Sequence, residues 1–286
     1  MDPVTRLGVV GCGLMGSGIA EVAALSGIDV RVAEATPDAA ESGRRRLTAS
    51  LDRGVLRGKL GEEQRHQALA HLSFTHDLGD LADRQFVIEA VAENRGIKTD
   101  VLGALDKTLE DSTAILATNT SSLPIVDLAV ATARPAQVIG MHFFNPVPVQ
   151  QLVEVIPALT TSQATLQRTR DLVARLGKRA IQAPDRSGFV VNALLVPYLL
   201  SAIRMVESGA ARPEDIDQGM ELGCAHPMGP LRLLDLIGLD TAQAVAESMY
   251  EEFKEALYAP PALLRRMVAA GHLGRKSGRG FYTYDA

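Results

Sequence analysis

The stretch RLGVVGCGLMGSGIAEVAALSGIDVRVAEA, residues 6 to 35, decides the fold. It contains an apolar strand, a glycine turn, a helix and a second apolar strand, which together form one βαβ unit. Gly11, Gly13 and Gly16 have the spacing of a dinucleotide-binding turn. Such glycines allow a tight turn, the close approach of a pyrophosphate and tight helix packing, while the helix N-terminus supplies amide donors. The stretch therefore predicts a Rossmann-like nucleotide site.

The end of the second strand predicts which dinucleotide binds. Glu34 lies 18 residues after Gly16, where a carboxylate can accept hydrogen bonds from both ribose hydroxyls and repel a 2'-phosphate. We therefore expect NAD rather than NADP. Leu14 and Met15 of the turn, and Asn119 at the end of a later strand, are further predicted cofactor contacts. A glycine turn without a ligand is the competing interpretation.

The rest of the chain extends this unit into a two-domain α/β protein. Three more strand candidates, QFVIEAV (85 to 91), AILATN (114 to 119) and QVIGMHFF (137 to 144), are separated by helical stretches. This pattern predicts a doubly wound, mostly parallel sheet with helices on both faces. The run LVEVI (152 to 156) follows without room for a crossover helix, so it should pair antiparallel with its predecessor.

Beyond QAPDRSG (182 to 188) the strand signal stops, and helical patterns continue to about residue 271, one of them starting at Pro213. We therefore predict an NAD-binding Rossmann-like domain over residues 1–184 and an all-helical C-terminal domain over residues 185–286. We expect the C-terminal domain to contribute to substrate binding and to dimerisation. The final GRKSGRGFYTY is expected to be an ordered tail packed back on that domain.

Composition excludes several classes of protein. The 286 residues carry a net charge of -5, which rules out a generally basic nucleic-acid binder. Cys12 and Cys224 lack CxxC spacing and a nearby His cluster, so we expect no disulfide framework, no metal site and a reducing, cytoplasmic setting. The first apolar run is too short for a signal peptide, and the longest uncharged run (187 to 203) is too short for a membrane span.

A charged segment interrupts the first domain between the second strand and residue 85. It looks helical, and we treat residues 38 to 72 as a helical arm. Between residues 44 and 65 it has seven Arg or Lys residues against three acidic ones. In a chain of net negative charge, this contrast indicates a cationic surface for an anionic ligand.

One histidine and one glutamate could form a proton-transfer pair. A reverse turn centred on Pro148 would place His142 and Glu154 opposite each other on one face of the sheet. The carboxylate would then fix the imidazole tautomer and stabilise the cation formed when the ring takes a proton. A structural histidine held by a buried glutamate is equally compatible with the spacing.

Other polar residues also have two interpretations each. Ser121 or Ser122 should cap the helix that starts near Pro124, while the other serine faces the cleft. Asn192, in an apolar helix, is either a packing contact or a donor to substrate. Glu93 and Lys98 form either a solvated helix start or a site beside the nicotinamide. The position of Cys12 at a helix N-terminus favours its thiolate.

The sequence resembles the 3-hydroxyacyl-CoA dehydrogenase family, in particular its free-standing bacterial members. The resemblance covers essentially the whole chain, with VVGCGLMGSGIA, VIEAVAEN, ATNTSSLPI, GMHFFNPVPVQQLVEVI, SGFVVNALL, HPMGPLRLLDLIGLD and GRKSGRGFYTY in the family's order. It implies oxidation of the 3-hydroxyl of an acyl-CoA, such as 3-hydroxybutyryl-CoA, to a ketone with hydride passing to NAD, or the reverse reduction.

The same resemblance assigns roles to individual residues. It implies that His142 is the catalytic histidine and Glu154 its partner, that Ser121 and Asn192 lie around the substrate oxygens, and that Glu93 and Lys98 contact the cofactor. The arm would cover the CoA, with Arg53, Arg57 and Lys59 as its basic contacts. A homodimer through the C-terminal domain is also implied, and the apolar stretches at 188 to 206 and 231 to 240 agree with it.

The chain departs from the family pattern at three places. Glu34 stands where an aspartate is usual, Gln150 and Gln151 replace methionine and lysine, and Cys12 replaces alanine. Two rival functions are a dinucleotide-binding protein without catalysis and a dehydrogenase of a small free hydroxy acid. The cationic arm favours a CoA ester over the free acid.

Overall fold

The computed structural model describes residues 3–284 and divides into two compact units between Asp185 and Arg186. The N-terminal unit is built on one eight-stranded sheet with the order β3-β2-β1-β4-β5-β6-β7-β8. Its strands are β1 (Arg6–Val10), β2 (Asp29–Ala33), β3 (Leu72–Thr75), β4 (Phe86–Glu89), β5 (Ile115–Thr118), β6 (Val138–Phe143), β7 (Leu152–Pro157) and β8 (Arg179–Gln182). Every neighbouring pair is parallel except β6 and β7, which confirms the predicted topology.

Six helices accompany this sheet. They are α1 (Leu14–Leu25), α2 (Pro37–Leu56), α3 (Glu62–Ala70), α4 (Arg95–Thr108), α5 (Ile125–Ala129) and α6 (Gln163–Arg175). All residues of β4, β5 and β6 are buried, as expected for central strands covered on both faces. The fold is therefore the Rossmann-like α/β class that the glycine turn and the apolar strands predict.

The sequence analysis did not predict the two edge strands, β3 and β8. β3 has four half-buried residues, and β8 has three exposed residues and one half-buried residue. Short edge strands lack the continuous apolar run by which buried strands are recognised. The helical interpretation of the segment before residue 85 is therefore wrong beyond Ala70, where β3 and a 3-10 turn (Leu78–Leu81) follow.

The C-terminal unit consists of five helices, α7 (Val191–Glu207), α8 (Pro213–Cys224), α9 (Pro230–Ile237), α10 (Leu239–Phe253) and α11 (Ala262–Ala269). Between residues 186 and 284 the backbone forms only isolated β-bridges in the tail, so this unit is helical as predicted. Pro213 is the first residue of α8, where its fixed φ suits a helix start. The apolar faces of α7, α9 and α10 form its core.

The C-terminal tail is ordered and anchored by one buried carboxylate. Asp235 on α9 accepts hydrogen bonds from the N–H groups of Phe281 and Tyr282, both at 2.9 Å, and from the Tyr284 hydroxyl at 3.0 Å. A side chain at Gly280 would collide with this carboxylate, which explains the glycine. The prediction of a tail packed back on its domain is confirmed.

None of the helices described between residues 3 and 284 combines the length and apolarity needed to cross a membrane. The same residues contain no cluster of three or more His, Cys, Asp or Glu side chains that could hold a metal ion.

Candidate active site

The glycine turn between β1 and α1 has the geometry of an anion-binding loop. Gly11 has a φ of +88°, and a Cβ there would lie 2.7 Å from the carbonyl oxygen of Ala90. A Cβ at Gly16 would overlap the carbonyl oxygen of Gly11. These two glycines are therefore required by the chain itself. A Cβ at Gly13 would meet no atom within 4 Å, so this glycine leaves open space where a pyrophosphate could approach.

The first turn of α1 is open to an anion. Gly13 is its N-cap and provides no side-chain hydrogen bond, and the first turn contains no acidic residue. Leu14 is 65% exposed, although it belongs to a largely buried helix. Free amide groups and the helix dipole at this end favour a phosphate ligand. The turn therefore fits the pyrophosphate of NAD.

Glu34 lies one residue beyond β2 and reaches back over the glycine turn. Its Oε1 accepts the N–H of Cys12 at 2.5 Å. The predicted acid therefore stands at the nucleotide turn, as a ribose-binding carboxylate must.

Cys12 differs from its prediction. The side chain is fully buried, and a Cβ at Gly43 of α2 would lie 2.8 Å from its Sγ. Burial, together with the negative charge of Glu34, raises the pKa of the Cys12 thiol to about 12, against the opposing effect of Arg46. The thiolate prediction is therefore wrong, because the sulfur packs against α2 in an apolar setting.

His142 and Glu154 form the hydrogen-bonded pair that the turn spacing predicts. They are directly opposed residues of β6 and β7. Nδ1 of His142 lies 2.6 Å from Oε2 of Glu154, and Glu154 is fully buried while His142 is 7% exposed. Since Nδ1 faces the carboxylate, Glu154 fixes the orientation of the imidazole ring. The ring centroid of Phe144 lies 4.6 Å from that of His142.

The connection between β6 and β7 is fixed from two sides. It includes a cis peptide bond at Asn145-Pro146. On one side Val147 packs closely on α1, so that a Cβ added at Gly18 would lie 2.8 Å from the Cβ of Val147. On the other, Nζ of Lys178 donates to the carbonyl oxygens of Val147, at 2.6 Å, and Gln150, at 2.7 Å. The hairpin that carries the pair is thus joined to the nucleotide-binding helix.

The loop after β5 connects the remaining predicted site residues of this unit. Oδ1 of Asn119 accepts the N–H of Phe143, next to His142, at 2.9 Å. Oε1 of Glu93 accepts the N–H of Ser121 at 2.9 Å and the hydroxyl of Ser122 at 3.2 Å. The structure therefore brings Glu93, Asn119 and both serines into one hydrogen-bonded region near β6.

Neither serine caps the following helix. α5 begins at Ile125 after Pro124, and Asp185 accepts the N–H groups of Ile125 and Val126 at 2.6 and 2.9 Å. The capping prediction is wrong because a carboxylate 60 positions along the chain occupies the cap. Such a long-range cap leaves no local sequence signal.

Lys98 is not part of a solvated helix start. It is fully buried in the first turn of α4, with Nζ 2.8 Å from Oε1 of Glu89 and 3.3 Å from Oε2 of Glu93. The Glu93 side chain is 37% exposed. Although burial opposes the effect, the Lys98 ammonium and hydrogen bonds from Thr120 and Ser121 hold the pKa of Glu93 below its usual value.

Glu89 is the buried partner of Lys98, and the sequence analysis missed it. It is the last residue of β4 and is fully buried. The sequence contained a signal for it, because Glu89 lies inside the apolar run FVIEAV. An acidic residue in such a run is expected to be buried, and a buried carboxylate needs a partner.

The arm consists of α2, α3 and the turn between them. Arg65 pairs with Asp52 at 2.6 Å, and Glu41 pairs with Arg44 and Arg45. Arg53, Arg57 and Lys59 are exposed near the turn, and none forms an ion pair within 4 Å with a residue between 3 and 284, although burial raises the pKa of Glu21 and the charge of Arg53 partly opposes this rise. The unpaired positive charge of the arm is therefore concentrated at this turn, and its contact with CoA stays a prediction.

Asn192 belongs to the C-terminal unit, where it is the second residue of α7 and half-buried. It follows two residues with positive φ, Gly188 at 83° and Phe189 at 47°. Its contact with substrate stays a prediction.

Comparison with known proteins identifies the family. Residues 6–186 match the family model described as the 3-hydroxyacyl-CoA dehydrogenase NAD binding domain, and residues 188–284 match the C-terminal domain of the same family. A 3-hydroxybutyryl-CoA dehydrogenase of Mycobacterium tuberculosis is 56% identical over 284 residues, which cover 99% of each chain.

Two further relatives extend this likeness. The mitochondrial hydroxyacyl-coenzyme A dehydrogenase of Sus scrofa is 40% identical over 98% of this chain and 91% of its own length. The crystal structure of a (S)-3-hydroxybutyryl-CoA dehydrogenase from Ralstonia eutropha superposes with a TM-score of 0.94 at 44% identity, covering 99% of this chain and 100% of that one. Both domain matches and these full-length similarities agree with the glycine turn and the His142–Glu154 pair: the chain is an NAD-dependent enzyme that belongs to the 3-hydroxyacyl-CoA dehydrogenase family.

Proposed function

We propose that the protein oxidises (3S)-3-hydroxybutyryl-CoA to acetoacetyl-CoA with NAD, and catalyses the reverse reduction, with His142 as general acid and base. The buried 2.6 Å contact between His142 and Glu154 is the observation that carries the proposal. The relatives from Mycobacterium tuberculosis and Ralstonia eutropha are 3-hydroxybutyryl-CoA dehydrogenases, which supports this substrate.

The cofactor site fits NAD on the geometry of the chain itself. Open space at Gly13, the uncapped start of α1 and the carboxylate of Glu34 match the pyrophosphate and ribose that such a turn holds. We include Leu14, Met15, Asn119 and Glu93 among the cofactor contacts. When bound, NAD supplies the acceptor for the hydride that leaves C3 of the substrate.

In the oxidative direction His142 removes the proton of the substrate hydroxyl. The Glu154 carboxylate holds the proton of Nδ1, so Nε2 is the nitrogen that acts as the base. Protonation produces an imidazolium, and the buried carboxylate beside it stabilises this cation. In the reductive direction the same imidazolium returns the proton to the forming alkoxide. Ser121 and Asn192 hold the substrate oxygens in this scheme.

The arm and the C-terminal unit supply the other parts of the proposal. Arg53, Arg57 and Lys59 attract the phosphates of CoA, since they are exposed and unpaired among residues 3–284. The C-terminal unit forms a homodimer, which is supported by strongly exposed apolar side chains on its helices, including Leu194 and Leu222. A cytoplasmic location, inferred from the two free thiols, completes the proposal.

Initial rates with a matched set of substrates test the function. Acetoacetyl-CoA, a longer 3-ketoacyl-CoA and free acetoacetate are each reduced with NADH and with NADPH. We expect the highest kcat/KM for acetoacetyl-CoA with NADH. Equal or faster reduction of free acetoacetate would instead assign the enzyme to small hydroxy acids, and a preference for NADPH would contradict the role of Glu34.

A further inference from the structure

A buried ion pair in the N-terminal unit includes Lys98, a predicted cofactor contact, and Glu89, to which no role has been assigned. Glu89, at the end of β4, and Lys98, in the first turn of α4, are both fully buried and lie 2.8 Å apart. Glu89 also accepts the N–H of Val91 at 2.7 Å and the hydroxyl of Thr118 at 2.6 Å. With three donors around one carboxylate, Glu89 is well satisfied and holds the ammonium in a fixed place.

Such a pair is costly to bury, because the desolvation of two charges can exceed their attraction. Two apolar side chains would fill this position at lower cost, so stability alone does not account for the pair. A second carboxylate suggests a different role. Oε2 of Glu93 lies 3.3 Å from the same ammonium, at the edge of the buried region.

Glu93 connects this ammonium to the loop that follows β5. Its Oε1 is the acceptor for four donors: the Thr120 hydroxyl at 2.5 Å, the Ser121 N–H at 2.9 Å, the Ser121 hydroxyl at 3.3 Å and the Ser122 hydroxyl at 3.2 Å. An ionised carboxylate accepts hydrogen bonds far better than a protonated one. The conformation of residues 120 to 122 therefore depends on the charge of Glu93.

We propose that Lys98 is a positioning residue: anchored by Glu89, its ammonium keeps Glu93 ionised, and the Glu93 carboxylate sets the position of the Ser121 hydroxyl. The inference rests on the proposed function for the contact between Ser121 and substrate. Lys98 then acts through Glu93 rather than by touching the cofactor, which agrees with its complete burial.

The charges around Glu93 within the N-terminal unit support this assignment. Lys98 from α4 faces its carboxylate, and Glu89 from β4 lies behind the ammonium. Arg95, at the start of the same helix, pairs instead with Asp127 of α5 at 3.1 Å. The 120 to 122 loop contributes hydroxyls and one N–H, and no formal charge. Lys98 is therefore the cation of this unit that governs the ionisation of Glu93.

A pair of variants separates positioning from simple structural support. Lys98→Met/Glu89→Gln removes the buried pair and leaves Glu93 ionisable without its cation, so the acidic limb of kcat/KM for acetoacetyl-CoA should move to higher pH by about one to three units. When Glu93→Gln is added to this variant, the pH-dependent loss should disappear, because residue 93 no longer titrates. A limb that stays in place in the first variant, or persists when Glu93→Gln is added, overturns the proposal.

Arg84→Met provides the matched control. Arg84 is 1% exposed and pairs with Asp29 and Asp83, both at 2.7 Å, before the start of β4. Its loss also removes a buried cation of this unit, so the thermal stability of the control should fall. The pH profile of the control should stay that of the wild type, since Arg84 has no contact with Glu93.

A measurement on the unmodified enzyme decides the question even if Lys98→Met/Glu89→Gln does not fold. The ¹³C carboxyl resonance of Glu93, assigned by its absence in Glu93→Gln, is followed against pH by NMR. We expect titration below the ordinary glutamate pKa of about 4.3. Titration at or above that value would overturn the inference. The NMR titration needs no turnover. A wild-type enzyme that is inactive on acetoacetyl-CoA would therefore refute the proposed function, while the NMR titration would still test the role of Lys98.

Discussion

At the scale of single residues, the bond between His142 and Glu154 joins directly opposed positions of an antiparallel strand pair. The pair thus depends on strand register, and a one-residue slip would move either side chain to the other face of the sheet. Burial of Glu154 makes the bond strong, since little water competes for the carboxylate.

Glu154→Gln tests this pair. The amide keeps the shape of the side chain but cannot stabilise an imidazolium, so kcat should fall by about 100- to 10,000-fold. NADH affinity, measured by fluorescence titration, should stay unchanged. Asp106→Asn, which breaks the 2.6 Å pair with Arg134 in the same unit, is the control and should keep its kcat. If the kcat of Glu154→Gln equals that of the control, the proposed role of His142 as a general acid and base supported by Glu154 is wrong.

The two cysteines should differ in reactivity. Burial raises the pKa of Cys12 to about 12, so its thiol stays protonated at neutral pH, whereas Cys224 is exposed. Iodoacetamide at pH 8 should therefore label Cys224 and spare Cys12 in the folded protein, as peptide mass spectrometry would reveal. Labelling in denaturant supplies the reference for both sites. Rapid labelling of Cys12 in the native protein would contradict its burial.

The raised pKa of Cys12 also predicts how stability depends on pH. The folded protein keeps the thiol proton up to about pH 12, while an unfolded chain releases it near the ordinary thiol pKa of 9.0. The thiol thus contributes its full stabilisation below pH 9, and this is lost as pH rises through 12. Between pH 8 and pH 10 the free energy of unfolding, measured with urea, should therefore fall less steeply in Cys12→Ala than in the wild type.

At the scale of elements, α2 and α3 form an insertion between β2 and β3 whose unpaired charges lie at one turn. The remaining basic residues have local partners: Arg46 donates to the carbonyl oxygen of Cys12 at 2.5 Å, and Arg65 pairs with Asp52. Arg46 thus attaches α2 to the glycine turn after β1. The turn between α2 and α3, in contrast, carries exposed cationic side chains.

Arg53→Gln/Arg57→Gln/Lys59→Gln should raise the KM for acetoacetyl-CoA and weaken its dependence on ionic strength, because phosphate attraction is screened by salt. The kcat should change little, since these residues lie away from the reacting atoms in the proposed scheme. A triple variant that removes the same charge from Lys107, Arg170 and Arg179, on α4, α6 and β8, is the control. Equal KM values for the two triple variants would refute a CoA-binding arm.

At the scale of the whole molecule, the C-terminal unit exposes apolar side chains on several helices. Its core includes Leu199, Ile203 and Leu234, whereas Leu194 is 74% and Leu222 79% exposed. Leu194 and Leu236, which is 50% exposed, lie in the apolar stretches at 188 to 206 and 231 to 240 that agree with the predicted dimer. Large exposed apolar groups on a folded domain are typical of an interface.

A homodimer predicts a mass of about twice 30.5 kDa in light scattering coupled to size exclusion at micromolar concentration. Leu194→Asp/Leu222→Asp should shift the protein to the monomer by placing charges in the interface. Leu56→Asp/Leu159→Asp is the control, because these leucines of the N-terminal unit are 85% and 95% exposed. A monomeric wild type, or dissociation in the control alone, would contradict the predicted interface.

Much of the fold and part of the site could be predicted because their signals are local. The glycine spacing, the apolar runs of β4 to β6 and the symmetric position of His142 and Glu154 about Pro148 all follow from neighbouring residues. β3 and β8 could not be predicted, since edge strands bury little and carry no apolar run.

The sequence by itself determined the Rossmann-like unit, the cofactor turn and the opposition of His142 and Glu154, because backbone sterics and side-chain periodicity act over short distances. Only the tertiary structure decided the contacts between residues far apart in the chain: Asp185 as the cap of α5, Cys12 against α2, and Lys98 between two carboxylates. These depend on which groups are excluded from water together, and burial sets both the cost of an unpaired charge and the pKa of a thiol.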